Sequence, residues 1–230
     1  MTVSTYNSLK GVLKNISIST DTTLDTIINS IRSIKTRNEV ESIIKAQRIA
    51  EKAFEHILKF IKVGVTEKEI ALELDFYMLR NGGEGLSFET IAVSGKNSSM
   101  PHGVPSNKKI ENGDFITLDF GTIINGYHSD MTRTIAMGFA TDEMKNVYDI
   151  VLKAQNNCLA NIRSGVNCKD GDEFARSVIR DAGYGQYFTH STGHGVGVEI
   201  HEFPNLSPAS DSILQVGNIV TVEPGIYIPE

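Results

Sequence analysis

The chain has 230 residues, 40% of them hydrophobic and 22% charged, with a formal net charge of −6. That length can bury a sizeable core, and the negative balance excludes nucleic acid as a main partner, because phosphate binding needs a basic face. There is no run of 18 apolar residues, no basic start followed by an apolar stretch, and no CxxC partner for Cys158 or Cys168, so the expectation is a soluble cytoplasmic chain with two free thiols, neither exported nor membrane-inserted.

Residues 1 to about 36 are rich in Ser, Thr and Asn, with Leu24, Ile27, Ile28 and Ile31 at helical spacing. They read as a helix and a short connection, the remnant of a preceding domain, with the main domain over 37–230. From Asn38 a long helix is predicted, because Val40, Ile43, Gln47, Ala50, Phe54, Ile57 and Ile61 form one mostly apolar stripe, as suits a helix lying on a sheet. Thr66 and Glu69 make a capping box, and the helix they open ends at Asn81-Gly82-Gly83.

Next comes Asn125-Gly126, a strong hairpin signal between Asp119 and Asp130. A two-residue loop there sets Ile124 opposite Tyr127 and Asp119 opposite Thr132. Asp130, two residues from Thr132, then points to the same face as Asp119. That suits two carboxylates converging on a metal, since two unscreened anions on a semi-buried face are costly. Taken alone, the pair is equally compatible with surface aspartates flanking a turn.

A third helix is predicted after Thr141, ending near Ser164-Gly165, and a fourth from about Gly171 to Gly183. Ile61-Lys62-Val63-Gly64-Val65 and Ile162-Arg163-Ser164-Gly165-Val166 match at an offset of 101 residues, which also superposes Gly82 on Gly183. Either two turns simply resemble one another, or the chain is an internal duplication: two helix pairs covering one curved, mostly antiparallel sheet.

Of six histidines, only His56 lies in a clear helical pattern. His102, His190, His194 and His201 sit in Gly- or Pro-marked stretches, and the glycines around His194 exclude a helical metal-binding pair with His190. On an extended strand the two would share a face. Asp, Asp, His and Glu together suit Mn, Co, Fe or Zn without a thiolate.

The ordered stretches Ser94-Gly95, Pro101-His102-Gly103, Leu118-Asp119-Phe120-Gly121, Asp130-Met131-Thr132-Arg133-Thr134, Thr192-Gly193-His194-Gly195 and Glu223-Pro224-Gly225 resemble the metal-dependent aminopeptidase and prolidase superfamily with the pita-bread fold. Within it the likeness is greatest to the Xaa-Pro aminopeptidase and Xaa-Pro dipeptidase branch. The resemblance implies an α+β fold, two pseudo-symmetric helix pairs over a curved sheet, with two divalent ions (Mn, Co or Zn) between the halves. Asp119 matches the ligand of one ion, Asp130 the bridging carboxylate, and His194 and Glu223 the ligands of the other. Glu223 also matches a proton-handling role. His102 and His201 match groups that hydrogen-bond the substrate and its tetrahedral intermediate. His190 matches a pocket residue on the proline side, with a simply packed histidine as the alternative.

The family carries a fifth ligand, a second bridging glutamate on a strand shortly after Glu-Pro-Gly, whereas this chain ends at Ile228-Pro229-Glu230. The expectation is therefore a fold lacking its last strands, with reduced activity and one well-occupied metal or none. The implied activity is a metal-dependent exopeptidase releasing the N-terminal residue from an Xaa-Pro bond, its partner a peptide with proline at the second position. Dimers are frequent in that branch, so a homodimer belongs to the expectation. The alternatives are an inactive pita-bread module that binds peptide or protein, and a methionine aminopeptidase.

Overall fold

The computed structural model describes residues 2–16, 19 and 21–229; Glu230 lies outside them. Six α-helices form among the described residues: α1 (Val3–Val12), α2 (Thr23–Ser33), α3 (Arg37–Phe60), α4 (Glu67–Arg80), α5 (Asp142–Asn161) and α6 (Cys168–Asp181). Their starts follow capping chemistry. At α4 the Thr66 hydroxyl accepts from Glu69 N at 3.2 Å while Thr66 N donates to Glu69 Oε2 at 2.7 Å, a reciprocal box worth about 1 kcal/mol. At α6 the Asn167 side chain accepts from Lys169 N at 2.9 Å. That cap starts the fourth long helix three residues before Gly171, and Cys168 is buried in its first turn. The N-terminal stretch forms two helices, not one.

Strands β1 (Ile91–Ser94), β2 (Phe115–Phe120), β3 (Ile123–Ile124), β4 (Tyr127–His128) and β5 (Met131–Ala136) follow α4; β6 (Gly193–Gly195) and β7 (Glu202–Leu206) follow α6. All pairings are antiparallel, with order β1-β2-β5 in the largest sheet. The β2–β5 register sets Asp119 opposite Thr132, and β3–β4 continues it with Ile124 opposite Tyr127. Asn125 and Gly126 both have positive φ, 52° and 75°, the type I′ turn that matches strand twist.

Alternation along β2 assigns its faces. Ile116, Leu118 and Phe120 are fully buried under Ala50, Ile57, Leu74 and Met78 of α3 and α4. Thr117 and Asp119 therefore point to the opposite face. Between β2 and β3 the ladder tightens: an ideal Cβ on Gly121 would lie 2.0 Å from the Ser129 carbonyl oxygen. Ser129 Oγ accepts from Thr122 N at 3.0 Å in place of a backbone carbonyl.

The second half repeats the first in detail. Gly64 and Gly165 have φ of 93° and 90°, and Gly82 and Gly183 have 103° and 89°. Ile110 N donates to Val65 O and Leu214 N to Val166 O, each at 2.8 Å. Glu67 N likewise donates to Lys108 O and Cys168 N to Ser212 O, at 3.0 and 2.8 Å. Helices α5 and α6 enclose their own core of Ala154, Cys158, Ala175, Ile179 and Phe188. Turns that merely look alike would not share long-range partners, so the duplication is structural. Among the described residues no helix is long and apolar enough to cross a membrane.

The fit at Gly121 generates the first prediction. Gly121→Ala should lose about 1–3 kcal/mol, because the new methyl must displace a backbone carbonyl rather than a flexible side chain. Urea unfolding measures it, and an unchanged midpoint would show that the Ser129 peptide can swing away.

Candidate metal centre

Two strand pairs present the chemistry in the same diagonal way. In the first, Asp119 opposes Thr132 and Asp130 follows two residues before it on the same strand path. In the second, the segment 219–223 pairs with the path through β6: Val196 N donates to Ile219 O, Thr221 N to His194 O and Glu223 N to Thr192 O, at 3.2, 2.8 and 2.8 Å. His194 thus opposes Thr221, and Glu223 lies two residues beyond it on the same face. This close approach needs Gly193, where an ideal Cβ would stand 2.0 Å from the Thr221 carbonyl oxygen.

The result is convergence. His194 Nε2 lies 3.1 Å from Glu223 Oε1 and 3.4 Å from Asp130 Oδ2. Ligand atoms of Asp130, His194 and Glu223 all fall within 4.8 Å of one another. His194 Nδ1 sits 2.9 Å from Gly195 O, so a proton there turns Nε2 toward the carboxylates. Thr221 Oγ1 donates to Glu223 Oε1 at 2.8 Å.

Asp119 stands beside this group, and its Oδ1 is buried without a hydrogen-bond partner. Burial, with Asp130 nearby, pushes its pKa up to about 8. Burial opposes charge on His194, yet hydrogen bonds to Asp130 and Glu223 overcome it and push the pKa up to about 10. Glu223 is likewise disfavoured by burial but is held below its usual range, chiefly by His194. Without a metal, protons on His194 and Asp119 offset most of the negative charge of the cluster. An orphaned carboxylate oxygen beside two carboxylates and an imidazole is a donor set that fits a divalent cation.

The three other candidate histidines, His102, His190 and His201, lie on loops. The His201 ring packs edge-on against His194, centroids 4.3 Å apart, and burial, with His194 and more weakly His102 nearby, holds its pKa below the usual value. The loop carrying His102 is tied to α4 by Glu67, whose buried carboxylate accepts from Ser94 N at 2.7 Å and Ser106 N at 3.0 Å. His190 precedes β6, so strand alternation does not place it. It is set instead by Tyr227 Oη, 3.2 Å from its Nε2, and by Arg176, which donates to the His190 carbonyl at 2.7 Å. Arg176 is itself paired with Asp172 at 2.6 Å, and Asp172 accepts from Thr192 N at 2.9 Å.

Sequence reading gave no role to Glu67, Asp172, Thr132, Thr221 or Tyr227. Tyr227 stood in plain view, two residues after Gly225. Burial, with Glu223 and Asp119 nearby, pushes its pKa up to about 12. Thr132 and Thr221 stand in or beside the stretches that carry Asp130 and Glu223, whereas Glu67 and Asp172 carry no motif signal, because a buried carboxylate is recognisable only by what it touches.

The proton balance fixes a pH dependence for the metal-free chain. A raised carboxyl pKa means the fold holds a proton the unfolded chain has lost, so the Asp119 contribution falls as pH rises from about 4 to about 8. The His194 contribution is full below about 6.5 and is lost as pH rises through about 10. The melting temperature with chelator should therefore decline from pH 7 to 10, and His194→Gln should flatten that decline. A parallel decline in the variant would assign it elsewhere.

Comparisons with known proteins place this geometry in a lineage. A model of metallopeptidase family M24 matches residues 41–230. An Xaa-Pro dipeptidase structure from Bacillus anthracis is 47% identical with a TM-score of 0.93, covering 100% of this chain and 63% of that one. A prolidase structure from Pyrococcus horikoshii is 40% identical with a TM-score of 0.95, covering 100% of this chain and 65% of that one. An uncharacterised peptidase of Bacillus subtilis is 46% identical over 230 residues, 100% of this chain and 64% of its own length. The chain thus spans less than two thirds of these relatives.

Proposed function

The chain belongs to metallopeptidase family M24, and from that premise we propose that it hydrolyses the Xaa-Pro bond at peptide N-termini, using a divalent ion held by Asp130, His194 and Glu223. The observation that carries this reading is the convergence of those three side chains beside the unpartnered oxygen of Asp119. Similarity to proteins named Xaa-Pro dipeptidase and prolidase, at 40–47% identity, supports the proline-directed choice.

A divalent ion in such a site supplies a Lewis acid that polarises the scissile carbonyl and lowers the pKa of water. The residues of the chain do the rest. Glu223, ionised against His194 and aligned by Thr221, takes a proton from the attacking water and returns it to the proline nitrogen as the C–N bond breaks. A proline amide has no N–H, so its nitrogen must gain that proton to leave as a secondary amine. His201, whose ring packs against His194, and His102 would supply donors that stabilise the oxyanion of the tetrahedral intermediate. His190, braced by Tyr227, Phe188 and Arg176, walls the side that would receive the proline ring. Asp119 extends the donor set toward a second ion.

Hydrolysis of an Xaa-Pro dipeptide and an Xaa-Pro-Xaa tripeptide with added Mn, Co or Zn tests the reaction. His201→Ala should lower kcat about 100-fold with little change in metal affinity, whereas His194→Ala should abolish metal binding. Calorimetry in buffers of different ionisation enthalpy should detect proton release on Mn binding at pH 7, from His194 and Asp119. Metal binding without either proton, or turnover that survives His194→Ala, would overturn the assignment.

A further inference from the structure

The segment before α3 is built into the site. Lys35 Nζ lies 2.5 Å from Glu202 Oε1, with only 1% and 5% of the two side chains exposed. Arg32 Nη2 reaches Glu202 Oε2 at 3.0 Å and Glu199 at 3.2 Å. These cations lie 167 and 170 residues from Glu202 in the chain. Glu202 is the residue after His201, and its carboxylate packs against Gly197, where an ideal Cβ would lie 2.5 Å from Oε1. The carboxylate thus sits inside the loop that joins β6 to β7 and carries His201.

The cations are fixed from behind. Lys35 N donates to Gly217 O and Asn218 Nδ2 to Ser33 O, both at 2.9 Å. Ile34 lies over Gly217, whose φ of 95° strains any other residue and where an ideal Cβ would stand 3.0 Å from Ile34 Cγ2. Residues 32–35 therefore strap the His201 loop to the turn that leads into Thr221 and Glu223. A nearly dry ion pair of this kind fixes geometry well, because removing either charge strands the other.

We propose that Lys35, seconded by Arg32, is a positioning residue for His201: by pinning Glu202 it sets where the His201 ring stands against His194. The cations touch no reacting atom and act only through Glu202. A group that must meet a developing oxyanion tolerates little displacement, and a shift near 1 Å can cost orders of magnitude in rate. The inference rests on the catalytic role proposed for His201, so one arm of its test does not depend on turnover.

That arm is the nuclear Overhauser contact between the His194 and His201 rings in the metal-free chain. Lys35→Met should weaken or erase the contact while the chain stays folded, and Lys35→Arg should restore it. The kinetic arm uses an Xaa-Pro dipeptide with Mn: Lys35→Met should lower kcat about tenfold with KM nearly unchanged, and Lys35→Arg should recover most of the loss. Should Lys35→Met fail to fold, Arg32→Gln carries the same expectation with a smaller effect, since Arg32 is partly exposed. A lower melting temperature with an intact ring contact would make the pair a stability element only and overturn the proposal. If the unmodified chain cleaves no Xaa-Pro peptide, the reaction assignment fails while the ring contact still decides the positioning role.

Discussion

Three carboxylates held together on a poorly solvated face set the terms for this structure. Asp119, Asp130 and Glu223 repel one another, and the His194 imidazole is the main positive charge set among them. Left to itself, such a cluster would spread into solvent or take up protons. The fold prevents spreading by placing each carboxylate on a backbone ladder, where position is fixed by strand register rather than by side-chain choice. Gly121 and Gly193 mark how tightly those ladders are drawn, each lying against a carbonyl oxygen that any side chain would strike. Uptake of protons remains, on Asp119 and His194, and it is this exchangeable positive charge that a divalent ion would replace.

Duplication explains how one chain brings four such groups to one place. Each half supplies a diagonal pair beside a facing threonine: Asp119 and Asp130 with Thr132, His194 and Glu223 with Thr221. Each half also buries one carboxylate in its second helix to hold the histidine-bearing segment, Glu67 for the His102 loop and Asp172 for the stretch around His190 and Thr192. Those two carboxylates sit one helical turn apart along matching helices, and their partners differ. Glu67 gathers backbone amides and hydroxyls, whereas Asp172 adds the Arg176 guanidinium. The scaffolding principle is shared while the loops have diverged, as expected where scaffold sets position and loops set chemistry.

Local signals were legible because local physics decides them. Asn125-Gly126 fixed the hairpin register, and with it the common face of Asp119 and Asp130, since only residues tolerant of positive φ close a two-residue turn. The Thr66 box and the apolar stripe of α3 were equally plain. The Asn167 cap starts α6 three residues before the Gly171 start that the sequence pattern predicts. Even spacing predicts His190 and His194 on one strand face, but backbone pairing begins only after His190.

What the sequence by itself determined is the four long helices, the register of the Asp119 hairpin, and the inventory of metal-compatible donors in family order, while the internal repeat stayed one of two readings. Turn chemistry, capping and periodicity act over a few residues, so a linear reading reaches them. Only the tertiary structure decided that Glu223 meets His194 across 28 intervening residues, that Glu67 and Asp172 anchor the histidine loops, and that Lys35 reaches Glu202 from 167 residues away. Pairing across such separations depends on which surfaces pack once the chain has collapsed. Packing is non-directional and shared among many side chains, so no short stretch of sequence records its outcome.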